Sequence, residues 1–120
     1  MASSSYSGYQ GTMFPAKTVT IANGQQSSSV IALDGFALVG IYLPAAFTGT
    51  ALTFEACDTA AGTFLPVKAG TGGSALSYTV AQGTFVAIDP KDFQGIAFLK
   101  IKSGSAEGAA RTLKCALKGL

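Results

Sequence analysis

Residues 35–67 read GFALVGIYLPAAFTGTALTFEACDTAAGTFLPV, and this stretch decides the fold class. Its apolar residues come in short runs, FALVGIYL at 36–43 and ALTFEAC at 51–57, parted by Pro44 and a small-residue turn. Neither run keeps a helical period over ten residues, and both carry the β-branched and aromatic side chains that suit a pleated strand. In 51–57, Leu52, Phe54 and Ala56 share one parity and form the inward side of a half-buried strand. The run 36–43 is apolar on both parities, Phe36, Leu38 and Tyr42 against Ala37, Val39, Ile41 and Leu43. It is therefore expected to be covered on both faces.

The same texture extends outward. Segment 17–22 alternates and stops at Asn23-Gly24, and 30–33 ends at Asp34-Gly35, both strong turn signals. Pro66 marks 63–68 as an edge strand or a bulge. Further strands are expected at 75–80, 84–88, 96–102 and 111–117. One helical turn falls at 89–93, with Asp89 as N-cap and Pro90 at the first helical position. Short strands with Gly-rich turns predict an all-β, antiparallel two-sheet β-sandwich over residues 17–120. A jelly roll is the preferred topology and an immunoglobulin-like sandwich the second. Leu38, Leu52, Phe54, Leu99, Ile101, Leu113 and Leu117 are the expected core. Residues 1–16 have no periodicity and read as an extended N-terminal arm. A disordered terminus is the plain alternative. The preferred reading makes Tyr6, Tyr9, Met13 and Phe14 apolar anchors that bind a partner.

Composition narrows function. The 120 residues hold 8 basic and 6 acidic side chains, a net charge of +2, which speaks against nucleic acid as a partner. Charged residues are only 12% while 48% are hydrophobic, which suggests a surface largely covered by other protein. There is no histidine, so imidazole bases and imidazole metal ligands are excluded. With no tryptophan, the best sugar-stacking side chain is also missing. The longest apolar stretch, Phe36 to Phe47, is twelve residues long and contains Gly40 and Pro44. A membrane-spanning helix needs about twenty. The first residues show neither the basic start nor the continuous apolar segment of a signal peptide, so a soluble protein made in a cytoplasm is expected.

No catalytic residues, cofactor or metal are expected. The carboxylate pairs Glu55/Asp58 and Asp89/Asp92 lie around turns, where capping is the ordinary role. Two facing carboxylates, as in a glycosidase, are not indicated. GTGG at 70–73 lacks the Lys-Ser/Thr of a phosphate loop. Cys57 and Cys115 fall on opposite parities, outward and inward, and read as unpaired thiols. Lys100 and Lys102 share one parity, as do Lys114 and Lys118. Were both strands in one sheet, the four lysines would line one face, either as a solvated surface or as a dock for an acidic partner.

Three segments carry a resemblance. The runs 35–67, GTFVAIDPKDFQGIAFLKIKSG (83–104) and RTLKCALKG (111–119) are similar to a family of small β-sandwich proteins encoded among tailed-bacteriophage structural genes. The family pattern LVGIYxPAxFTGxxLTF stands at 38–54, and AxDPxxFxGxxxxKIxSG at 87–104. The resemblance implies a virion component, foremost a head decoration (cement) protein on the capsid surface, made in the host bacterial cytoplasm. Its partners would be the major capsid protein and further copies of itself, with a trimer the commonest geometry among such proteins. Neither nucleic acid nor membrane would be bound. The alternatives are a receptor- or carbohydrate-binding module of a tail fibre or baseplate, and a neck or tail-tube subunit.

Overall fold

The computed structural model describes residues 16–69 and 73–119, so the arm anchors Tyr6, Tyr9, Met13 and Phe14 lie outside the described residues. Nine strands follow one another: β1 Ala16–Ile21, β2 Ile31–Ala32, β3 Ala37–Tyr42, β4 Ala51–Cys57, β5 Leu65–Pro66, β6 Tyr78–Thr79, β7 Phe85–Ala87, β8 Phe98–Ser103 and β9 Arg111–Lys118. They form two antiparallel sheets. The first has the order β1-β9-β3-β7; the second has β2-β8-β4-β5, with β6 also on β4. Apart from β5 and β6, successive strands alternate between the sheets. This is the strand order of a jelly roll whose fifth strand is divided in two.

That division shortens two expected strands. Of 63–68 only Leu65–Pro66 pairs with β4, and of 75–80 only Tyr78–Thr79 does. Between them the chain makes its own excursion, closed by the Lys68–Ala75 bridge and by Leu76 N–H donating to the Val67 carbonyl. Pro66 sits on the outermost strand, where its missing N–H leaves no ladder position empty.

Alternation produces the core. Leu52 and Phe54 of β4, Leu99 and Ile101 of β8, and Leu113, Cys115 and Leu117 of β9 are all buried between the sheets. Phe54 lies edge-on to Phe93, 5.0 Å between ring centroids, and to Tyr78 at 6.0 Å. Phe93 belongs to the helical turn Pro90–Phe93, the one such turn among the described residues, where the Asp89 side chain accepts from Lys91 N–H as its N-cap.

Strand β3 departs from expectation. Its register against β9 shifts between Leu38 and Gly40, which makes Val39 an extra residue. A bulge of this kind switches parity. Leu38 is buried before it, and Ile41 and Leu43 after it. Tyr42 is thereby sent to the outer face, where it is 51% exposed. The apolar residues on both parities record this change of phase rather than a strand covered on both sides.

Because Leu52 and Leu99 are fully buried on neighbouring strands, truncation to alanine at either is expected to cost about 2–5 kcal/mol. Denaturant titration checks this, with the midpoint falling at unchanged slope.

Candidate functional site

One end of the sandwich is organised by a buried carboxylate. Glu107 has no exposed side-chain surface and accepts five hydrogen bonds. Its Oε1 takes Thr48 N–H at 3.0 Å and Arg111 Nε–H at 2.9 Å. Its Oε2 takes Gly49 N–H and the Thr48 hydroxyl at 3.0 Å and the Ser103 hydroxyl at 3.2 Å. Glu107 N–H also donates to the Gln25 carbonyl, and the Glu107 carbonyl accepts from Gly24 N–H. The loops before β2, before β4 and before β9 are therefore tied to one residue. Gly49 is required here, because a Cβ would collide with the Ser103 hydroxyl.

Burial by itself would raise the Glu107 pKa. Hydrogen bonds from Arg111, Thr48 and Gly49 outweigh it and hold the carboxyl below its ordinary value. With every lone pair engaged, the group has no capacity left for proton transfer. Its role is architectural. In sequence Glu107 is one acid in a Gly/Ser/Ala-rich turn, and only Arg111 four residues on hints at a pair.

The other acids take local roles. Asp89 caps the helical turn, Glu55 lies across from Lys100 in register, and Asp34 pairs with Lys17. Among the described residues no group of three acids and cysteines converges as a metal site. Both cysteines are free; Cys57 is partly exposed, and burial pushes the Cys115 thiol up to about 12. A shallow groove at the opposite end is lined by Ala56, Leu65 and Ile96 among others, with Asp58 at its border.

The outer sheet faces differ from expectation. Lys100 and Lys102 belong to β8 in one sheet, Lys114 and Lys118 to β9 in the other, so the two pairs sit on opposite sides of the molecule. Lys100 lies over the Phe64 ring at 4.7 Å, beside Glu55. None of the four strands of β1-β9-β3-β7 contains Asp or Glu, and Lys17 of β1 draws its partner Asp34 from a loop. On the outer face of this sheet Tyr42 of β3 pairs in register with Phe85 of β7, and their rings stand 4.6 Å apart at 51°. Phe85 is 47% exposed. Its ring lies over Gly40, where any Cβ would strike it. Lys114 brings its ammonium to 5.9 Å from the Tyr42 ring centroid. Tyr78, by contrast, is half-buried, and its hydroxyl accepts from Asp89 N–H.

Nothing local in the sequence marks this aromatic pair. The available signal was a glycine on one strand facing an aromatic on its neighbour, a combination in which the ring covers the bare backbone. Reading it requires the β3–β7 pairing and the bulge, and neither is local.

No protein-family model matches this chain, and no curated protein matches it. Among solved structures it is similar to the Yersinia pseudotuberculosis-derived mitogen (YPM), at 10% identity and a TM-score of 0.39, over 89% of this chain and 86% of that one.

The Glu107 cluster carries a pH dependence. A carboxyl depressed in the folded state stabilises fully above its unfolded-state value, and the contribution is lost as pH falls through the folded one. Glu107→Ala, which strands Arg111 and four further donors, is expected to lose about 3–5 kcal/mol at neutral pH. Glu107→Gln is expected to flatten the acid limb of the stability profile below the ordinary value of 4.5, measured by thermal unfolding against pH.

Proposed function

We propose that this protein is a non-enzymatic virion structural protein of a tailed bacteriophage, a decoration or cement protein that binds the major capsid protein and stabilises the head. The observation that carries an interaction role is the exposed Tyr42–Phe85 pair with Lys114 on a sheet whose four strands contain no Asp or Glu. Exposed paired aromatics on a rigid sheet are what a protein interface uses as anchors. The family resemblance over 35–119 supplies the virion setting. A jelly roll whose internal polar groups are consumed by its own loops is suited to serve as a rigid block. Self-association as a homo-oligomer, with a trimer as the geometry the resemblance suggests, lets many weak contacts on a lattice act together. No cofactor, nucleic acid or membrane enters this function.

The receptor- or carbohydrate-binding alternative draws on the same aromatics. The rings touch at a 51° inclination and offer no single flat surface for a sugar ring laid across both, which favours the irregular packing of a protein side chain against them. Retention on purified heads and tails, for the full chain and for a form lacking residues 2–14, tests the proposal. The full chain is expected to stay on heads at both low and high salt, and the truncated form to be released. Equal retention of both forms removes the arm from the mechanism. Binding to tails and not heads removes the decoration role.

A further inference from the structure

The Tyr42–Phe85 face needs an occupant, and the chain contains a segment of matching chemistry. Residues 1–15 hold no Asp, Glu, Lys or Arg, and their apolar side chains include Tyr6, Tyr9, Met13 and Phe14. We infer that the Tyr42–Phe85–Lys114 platform seats the arm of a second copy of this chain, with Tyr9 and Tyr6 as the side chains that reach it. This rests on the homo-oligomer reading above and names the contact that builds it.

Three observations carry the inference. The first is the chemistry of the face. Its exposed centre is aromatic, and its cations, Lys114 and Lys118, face no carboxylate on these strands. A charge-free, tyrosine-bearing segment suits it: rings pack on rings, and Lys114 can stand over a second aromatic face while its head stays in water.

The second is where the arm begins. Ala16 is the first residue of β1, at one edge of this sheet, and pairs in register with Ala116 of β9. Ala116 pairs with Gly40, over which the Phe85 ring lies. The arm is thus rooted at the edge of the very face that carries the platform.

The third is reach. Four strands place β1 and β7 about 14 Å apart, at roughly 4.8 Å per spacing. Tyr9 and Tyr6 stand seven and ten residues before Ala16, a reach of at most about 23 and 33 Å. Both exceed the width of the sheet, so the segment has chain enough to reach the platform of a second copy, as the homo-oligomer reading requires. Reciprocal or head-to-tail exchange of this kind closes a ring without any new fold.

The test is mixed-chain cross-linking together with association measurements on the full-length protein. In a Cys57→Ser background, where the remaining Cys115 is buried and inert, one chain carries Tyr9→Cys and another Phe85→Cys. Mild oxidation of the mixture is expected to give a disulfide-linked heterodimer on a non-reducing gel. Sedimentation of the otherwise unaltered chain is expected to show a concentration-dependent oligomer. Tyr42→Ser/Phe85→Ser and Tyr6→Ser/Tyr9→Ser are each expected to weaken it at least tenfold, and combining them to add little more. Tyr42 and Phe85 are about half exposed, and unchanged thermal unfolding of each variant confirms that the fold persists. An intramolecular link when both cysteines are placed in one chain, with none between mixed chains, overturns the inference in favour of the molecule's own arm. Unchanged association in both serine variants overturns it outright. These outcomes are read without phage heads, so a failure to bind heads would remove the decoration role and leave this contact standing.

Discussion

A single buried carboxylate holds the loop end of this sandwich together. A jelly roll sends its chain from one sheet to the other at nearly every connection, and its loops carry backbone N–H groups that must be satisfied without a ladder. Glu107 meets the need for Thr48 and Gly49, engages the Ser103 hydroxyl and neutralises Arg111. Its own backbone binds Gly24 and Gln25. Both cysteines are free, so no disulfide shares this task. An ion buried so completely is tolerated only because its lone pairs are all occupied, and removing either partner would leave a bare charge inside.

The second constraint is the irregularity in β3. A strand whose apolar residues kept one phase would turn either Leu38 or Ile41 outward. The bulge at Val39 buries both and sends Tyr42 to the outer face, next to Phe85. Gly40 then leaves the space into which the Phe85 ring settles. One extra residue thus completes the core on one side of the sheet and creates the exposed aromatic pair on the other.

The two sequence blocks behind the family resemblance consist largely of framework. Pro44, Phe47, Thr48 and Gly49 build the loop that meets Glu107, and Leu52 and Phe54 fill the core. Asp89, Pro90 and Phe93 form the capped turn, while Ile101 and Ser103 face inward. Such blocks report how the sandwich closes. Phe85 and Lys114 lie outside both patterns, and of the platform only Gly40 and Tyr42 fall within them. Of the proposed contacts, Tyr6 and Tyr9 lie outside the resemblance, while Tyr42, Phe85 and Lys114 lie within its three runs.

Local chemistry made much of the architecture legible in the sequence. Alternation placed Leu52, Phe54, Leu99, Ile101, Leu113 and Leu117 inside, because the side-chain period of a strand is two whatever it pairs with. Asp89-Pro90 announced the helical turn through its own backbone preferences, and Pro66 announced an edge. Parity, however, says which side of its own sheet a residue faces and not which sheet the strand joins. The lysines of β8 and β9 were for that reason separable only in the folded molecule, where they occupy opposite faces. Glu107 gained its role from donors 58 and 59 residues away, and Tyr42 met Phe85 only through a bulge and a β3–β7 pairing. Sequence determined the strands and the core, since those follow from neighbours along the chain. Tertiary structure decided the buried carboxylate clasp and the aromatic face, since both are made by residues that meet only when the two sheets close.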